Sequence, residues 1–335
     1  MDSIYELARR AGVAPSTVSK ALRNDPRISV ATRARVQALA SEAGFTVNAA
    51  AQSLTTRRTL TIGLIVSDYA DPYNGLLVRG IEAAAMAAGY QLLVSSAHES
   101  GVREVDIART FRQRRVDGII IVASHVSESH EHLDPRIPVV LVAEKPALVP
   151  DRPLVSCLIV EDEAGARTMT QHLLTLGHRR IGYVAIGRAS LASDARRAGY
   201  EDALRQAGIE PDPRLVVVPN RRDMAGVGAE GVQLLLPHRP TAIFFYNDLA
   251  AIGGLRAVLD RGLRVPEQIS IAGFDDLEIS QLVTPPLTTM AQPRLDMGRM
   301  AAERLLAMIG GDDDRTPMTA ACTLMVRRST APPPD

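Results

Sequence analysis

Residues 3–22 read SIYELARRAGVAPSTVSKAL. Ser3 and Glu6 stand at capping-box spacing, where hydroxyl and carboxylate each satisfy an orphan backbone N–H. Ile4, Leu7 and Ala8 then recur at helical spacing, so the first helix has one apolar face. Gly12 breaks it, Val13 offers an apolar side chain to tuck inside, and Pro15 suits the first position of a second helix. That second helix turns Val18, Ala21 and Leu22 inward and leaves Pro15, Ser16, Thr17, Ser19 and Lys20 on or near its outer face. Two short helices joined by a glycine turn, the second carrying hydroxyls and a cation, form the helix-turn-helix that enters a DNA major groove. An ordinary helical hairpin with a solvated face fits these twenty residues as well.

Charge separates the two readings. The net charge of the 335 residues is zero, but residues 1–59 hold nine Lys and Arg against four acids. A basic head on a mildly acidic body fits phosphate contact confined to one end. The length predicts two or three domains. With 46% hydrophobic and 23% charged residues, the composition is that of a soluble globular protein. No apolar stretch is long enough to span a membrane. The opening residues lack a signal-peptide core, so the expected location is the cytoplasm. Cys157 and Cys322 each lie in an apolar run and read as buried free thiols rather than a disulfide.

After a turn at Asn24-Asp25-Pro26, Ser29 is placed to cap a third helix over about 32–43, with Val36, Leu39, Ala40 and Ala43 inward and Gly44 closing it. Residues 48–59, NAAAQSLTTRRT, have helix propensity but are too short to stand alone in water. Their one large apolar side chain, Leu54, has nothing local to bury it.

From Thr59 the texture changes. Short apolar runs at 60–67, 90–97, 117–124, 138–144, 155–161, 179–187, 214–219, 241–248 and 269–276 alternate with amphipathic stretches. The latter fall near 73–89, 102–115, 163–176, 194–207, 224–236 and 248–261. Buried strands alternating with helices predict parallel sheets covered on both faces. So many strands over some 270 residues predict two doubly wound subdomains, with ligand held in the cleft at the strands' carboxyl ends. Residues 318–330 read as one last strand.

Several motifs carry little. Gly226-Val-Gly-Ala-Glu-Gly231 spells the dinucleotide fingerprint, but no strand runs directly into its first glycine, so the glycines read as positions in a helix. His130-x-His132 lacks a companion Cys or His cluster, so no metal site is expected. Neither a P-loop nor a nucleophile elbow is present. Glu161, Asp248 and Asp275 end strands, but no His, Lys or Ser stands beside them in sequence to complete a catalytic site. No cofactor and no enzymatic activity are expected.

Along its whole length the chain resembles the lactose-repressor (LacI/GalR) family of bacterial transcription regulators. The resemblance rests on GVAPSTVSKAL (12–22), NAAAQSLTTRRT (48–59), IGLIVSDYADPYNGLL (62–77), LGHRRIGYV (176–184), DARRAGY (194–200), FFYNDLAAIGGLRA (244–257), ISIAGFDD (269–276) and PPLTTMAQPRLDMGRMAAERLL (285–306), in family order and spacing. It implies a helix-turn-helix headpiece over 1–46, a hinge helix over 47–59, and a periplasmic-binding-protein-like effector and dimerisation core over 60–335. The core's first subdomain would comprise about 60–160 with 291–316, its second about 161–290 with 317–330. The implied protein is a cytoplasmic homodimeric repressor that binds palindromic operator DNA and a small polar effector, a sugar or sugar derivative, without membrane attachment. A transport binding protein is the alternative from another class, and the basic headpiece argues against it.

Carried over by position, Pro15, Ser16 and Lys20 would face base edges, and Thr17, Ser19, Arg33 and Asn48 would lie near phosphates or the groove. Leu54 matches the family's minor-groove wedge. Tyr73, Asn74, Ser124, Glu161, Arg196, Asn247 and Asp275 match its cleft contacts. Two departures stand out. Asn74 replaces a second aromatic, and Asn220-Arg221-Arg222 replaces an aromatic wall. Arg221 and Arg222 either draw an acidic or phosphorylated effector or point to water.

Overall fold

The computed structural model describes residues 4–22, 24–45, 58–98, 100–122, 134–143, 154–186 and 190–334. The chain divides into two compact units at Thr59 and Leu60. The capping box at Ser3, the hinge residues Asn48 and Leu54, and the loop residues Ser124, His130 and His132 lie outside the described residues.

The first unit contains α1 (Ile4–Ala11), α2 (Pro15–Leu22) and α3 (Val30–Glu42). Leu7, Ala8 and Ala11 of α1 meet Val18 and Ala21 of α2 and Val36 and Ala40 of α3 in one small core. Gly12 takes φ +63° in the turn between α1 and α2, a conformation that costs glycine little. Ser29 caps α3 by accepting from the Thr32 amide at 3.3 Å. The helix therefore begins two residues before the expected start, because the cap hydroxyl bonds the third residue after it.

The second unit holds two six-stranded sheets. The first, in the order β11-β5-β4-β3-β1-β2, joins β1 (Thr61–Val66), β2 (Gln91–Ser96), β3 (Gly118–Val122), β4 (Val139–Val142), β5 (Val155–Val160) and β11 (Met318–Ala320), all parallel. The second, in the order β12-β10-β9-β8-β6-β7, joins β6 (Ile181–Val184), β7 (Val216–Val217), β8 (Ala242–Phe245), β9 (Ser270–Asp275), β10 (Thr288–Ala291) and β12 (Thr323–Met325). Only the β10–β12 pairing is antiparallel. Every residue of β3, β4, β6, β8 and β9 is buried, as strands covered on both faces must be.

Around the first sheet lie α4 (Tyr73–Ala87), α5 (Gly101–Gln113) and α11 (Arg294–Ile309). Around the second lie α6 (Asp162–Thr175), α7 (Leu191–Gln206), α8 (Met224–Leu235), α9 (Asp248–Leu259) and the short α10 (Ile279–Leu282). The chain passes between the two lobes after β5, after β10 and between β11 and β12.

Three expectations change. Residues 318–330 are not one strand: β11 closes the edge of the first sheet, β12 pairs in the second, and residues 321–322 make the last crossing. The lobe boundary expected at 317 therefore falls between 320 and 323. The run at 214–219 yields only Val216–Val217, since Pro213 and Pro219 bracket it and proline cannot donate to a ladder. Cys322 is partly exposed at that crossing rather than buried, while Cys157 is a buried free thiol.

Candidate functional site

The carboxyl end of β9 delivers Asp275, one of few non-glycine residues here with positive φ (113°). Its Oδ1 accepts from the Gln292 amide at 2.7 Å and lies 3.6 Å from Arg196 Nη1. Arg196 projects from the first turns of α7 and is only 4% exposed. Its Nε donates to Asp162 Oδ1 at 2.7 Å, and its Nη1 donates to the Tyr246 carbonyl at 2.6 Å. The guanidinium lies over the Phe274 ring at 3.8 Å and the Tyr246 ring at 4.7 Å. Gln292, on the crossing after β10, accepts from the Tyr73 hydroxyl at 2.8 Å. A planar cation stacked on aromatics and bonded to carboxylates suits arginine and no other side chain.

The electrostatics follow from this enclosure. Burial opposes the charge on Arg196, but Asp162 and Asp275 outweigh it and hold the guanidinium above its ordinary value. Burial pushes Asp275 up to about 8, with Arg196 holding back part of the rise. Burial likewise raises the Tyr73 hydroxyl, and the charges of Asp275 and Asp162 add to it. A carboxyl whose pKa rises from 3.8 to about 8 on folding binds more protons folded than unfolded, so it makes stability fall as pH rises between those values. Asp275→Asn should flatten that slope, which urea unfolding at pH 5, 6, 7 and 8 measures; an unchanged slope would assign it to other groups.

Beside this cluster a cavity of about 300 Å³ is walled by Glu161, Asp162, Glu163, Arg167, Leu191 and neighbouring small side chains. Arg167 already faces Glu163 and Asp202. The wall is mainly aliphatic (Ala143, Ile159, Val160, Ala164, Leu191, Ala192, Ala195), with three carboxylates against one cation at one side, a mixture that suits a small ligand with both apolar faces and hydroxyl donors.

The structure brings Arg196, Asp275 and Tyr73 together through Gln292 and sets Glu161 on the cavity wall. It uses the others differently. Asn74 donates to the Asp68 carbonyl at 2.7 Å, holding the loop before α4, and its buried Oδ1 has no partner. Asn247 caps α9, its side chain accepting from the Ala250 amide at 2.9 Å. Arg221 is exposed, with Nε 3.5 Å from Glu230. Asp248 is buried and accepts from the Leu277 amide and the Ser280 and Thr289 hydroxyls, so it ties α10 and β10 to α9.

Sequence reasoning missed Asp162, Gln292, Tyr246 and Phe274. Asp162 follows Glu161 at the same strand end, and a strand-end pair of acids was the available signal. Nothing local marks Gln292.

In the first unit, Ser16 is exposed, while Pro15, Thr17, Ser19 and Lys20 of α2 are partly exposed. Arg33 Nη2 donates to the carbonyls of Asp25 (3.2 Å) and Ile28 (3.1 Å), bracing the loop between α2 and α3. Among the described residues no group of three or more His, Cys, Asp or Glu could hold a metal, and no helix is long and apolar enough to cross a membrane.

Residues 3–48 match the profile described as bacterial regulatory proteins, lacI family, and residues 170–330 match the periplasmic binding protein-like domain. The HTH-type transcriptional regulator DegA of Bacillus subtilis (strain 168) is 34% identical over 302 residues, covering 88% of each chain. The lac repressor dimer bound to operator and the anti-inducer ONPF superposes with a TM-score of 0.86 at 27% identity, over 98% of this chain and 99% of that one. The transcriptional regulator CelR in complex with cellobiose gives a TM-score of 0.74 at 29% identity, over 98% of this chain and all of that one. Headpiece, two-lobed core and full-length similarity agree: the chain belongs to the lacI family of bacterial regulatory proteins.

Proposed function

We propose that this chain is a homodimeric repressor of transcription, acting in the cytoplasm without catalysis, whose operator affinity is set by a small polar effector held between the lobes of its core. The observation that carries this reading is the buried Arg196–Asp162–Asp275 cluster, which joins helix α7 to the first residue of α6 after β5 and to the end of β9, beside a mainly aliphatic cavity with three carboxylates on its wall. The effector is read as a sugar or sugar derivative. The exposed pairing of Arg221 with Glu230 supports an uncharged hydroxylated ligand over a phosphorylated one. Arg196, Asp275, Glu161 and Tyr73, with Ser124, are its proposed contacts, while Asn247 and Asn74 hold the backbone beside them. Selection of bound sequences from random duplexes, followed by gel shift with and without hits from a thermal-shift panel of sugars, sugar acids and nucleobases, tests it. Failure to select any palindrome would remove it.

Assembly is read as a dimer recognising two half-sites about a two-fold axis. Leu282 of α10 is 77% exposed, an apolar side chain suited to such an interface. Light scattering at micromolar concentration should give the mass of two chains, and Leu282→Asp should shift it to one; a tetramer would contradict the reading.

The DNA contacts are proposed for Pro15, Ser16, Thr17, Ser19, Lys20, Arg33 and Asn48, with Leu54 as the wedge. A leucine fully buried between base pairs contributes about 1.5–3 kcal/mol. Leu54→Ala should therefore weaken selected DNA by roughly 10–150-fold and leave random DNA nearly unaffected. Equal losses on both would exclude a wedge.

A further inference from the structure

Two side chains from one crossing segment clamp the same two places. Gln292 joins Tyr73, the first residue of α4 in the first lobe, to Asp275 in the second. Two residues on, Arg294 donates to the Asp276 carbonyl at 2.8 Å and to the Pro72 carbonyl at 3.5 Å, its guanidinium 5.8 Å from the Tyr73 ring centre. Gln292 and Arg294 are 6% and 5% exposed. The far end of the clamp is under backbone constraint: Asp275 and Asp276 both take positive φ, 113° and 52°, a region that side chains disfavour. The Asp276 carboxylate is in turn held by Arg327, which follows the last crossing. Thus Gln292 and Arg294 join residues 72–73 of one lobe to residues 275–276 of the other.

We propose that Gln292 is a positioning residue that transmits occupancy of the Asp275 site to the first lobe, by trading its bond to Asp275 against its bond to Tyr73. This rests on the reading that the effector engages Asp275. In this exchange a ligand hydroxyl donating to Asp275 Oδ1 takes the position now held by the Gln292 amide. Turning that amide also moves the acceptor that holds the Tyr73 hydroxyl, so one exchange of partners loosens both ends. Tyr73 then reports on the effector through its hydroxyl's partner.

The test needs no effector, because breaking the bridge reproduces the exchange. Full-length wild type, Tyr73→Phe, Gln292→Leu and the double variant are titrated onto the palindrome selected by wild type, at two salt concentrations. Each single variant should shift operator affinity by about tenfold, within the usual range of allosteric coupling, both in the same direction. The double variant should shift it no further, since both singles break one bridge. The slope of log affinity against log salt should stay that of wild type, because phosphate contacts are untouched. Singles within twofold of wild type would overturn the proposal, as would effects that multiply, the mark of separate structural damage. A wild type that binds specifically while the variants behave normally leaves the function standing and removes the bridge alone. A wild type that selects no palindrome removes both.

Discussion

Arg196→Ala is expected to lower the unfolding free energy of the core by about 3–5 kcal/mol, the usual cost of removing one partner from a buried ion pair. Were Arg196 only the cleft contact that the resemblance implies, its loss would silence the effector response and spare the fold. The geometry removes that separation. Asp162 is left without its 2.7 Å partner, Asp275 without its nearby cation, and the Tyr246 carbonyl without its donor. The flat contact over Phe274 is lost as well. Burial already pushes Asp275 up to about 8 with Arg196 in place, so loss of the cation should raise it further and carry the decline of stability on to higher pH. Arg196→Lys keeps a charge but not the stacked fork, and should fall between wild type and alanine. Urea unfolding followed by circular dichroism measures the difference. A loss under about 0.5 kcal/mol would make Arg196 an ordinary surface cation, against its burial.

How much of this site was legible in the sequence depends on how far apart its parts lie. Arg196 and Asp275 stand in runs whose residue order is distinctive, so resemblance reached them. Asp162 sits beside the more exposed Glu161, and a strand-end pair does not say which carboxylate turns inward; its partner is 34 residues away. Gln292 binds Tyr73 across 219 residues, and only the crossing after β10 brings them together. The fold was easier to read, because alternation of apolar strands and amphipathic helices is local. Its failures are local too. β11 and β12 have three residues each, too few to show a period, and the two-residue crossing between them has no turn signature. The headpiece was read correctly in its core because helical spacing fixes Leu7, Val18 and Val36 on one side. The position of Arg33 against the loop carbonyls carries no such signal.

Gly228→Val is expected to destabilise the core by about 3 kcal/mol, the upper end of the overpacking range, with no effect on any nucleotide. The sequence offers two meanings for Gly226-x-Gly228-x-x-Gly231, a phosphate cradle or a helix surface. Asp223 caps α8, its carboxylate accepting from the Gly226 amide at 2.6 Å, so that amide is not free to cradle a phosphate. A Cβ on Gly228 would meet the Ala250 carbonyl and the Gly254 amide of α9, and one on Gly253 would meet the Ala225 backbone. The glycines of the two helices thus face each other, and backbone touches backbone where they cross. The same device recurs where Gly80 of α4 and Gly298 of α11 meet Leu295 and Leu77. A side chain can rotate away from an added methyl group, but a helix backbone cannot, so α8 must separate from α9 along the whole crossing. Better helix propensity returns at most about 1 kcal/mol, less than the packing lost. Thermal and urea unfolding of Gly228→Ala and Gly228→Val should show losses that grow with side-chain size. Equal stability of both variants with wild type would mean that the helices have room to spare and that the glycines answer to something other than packing.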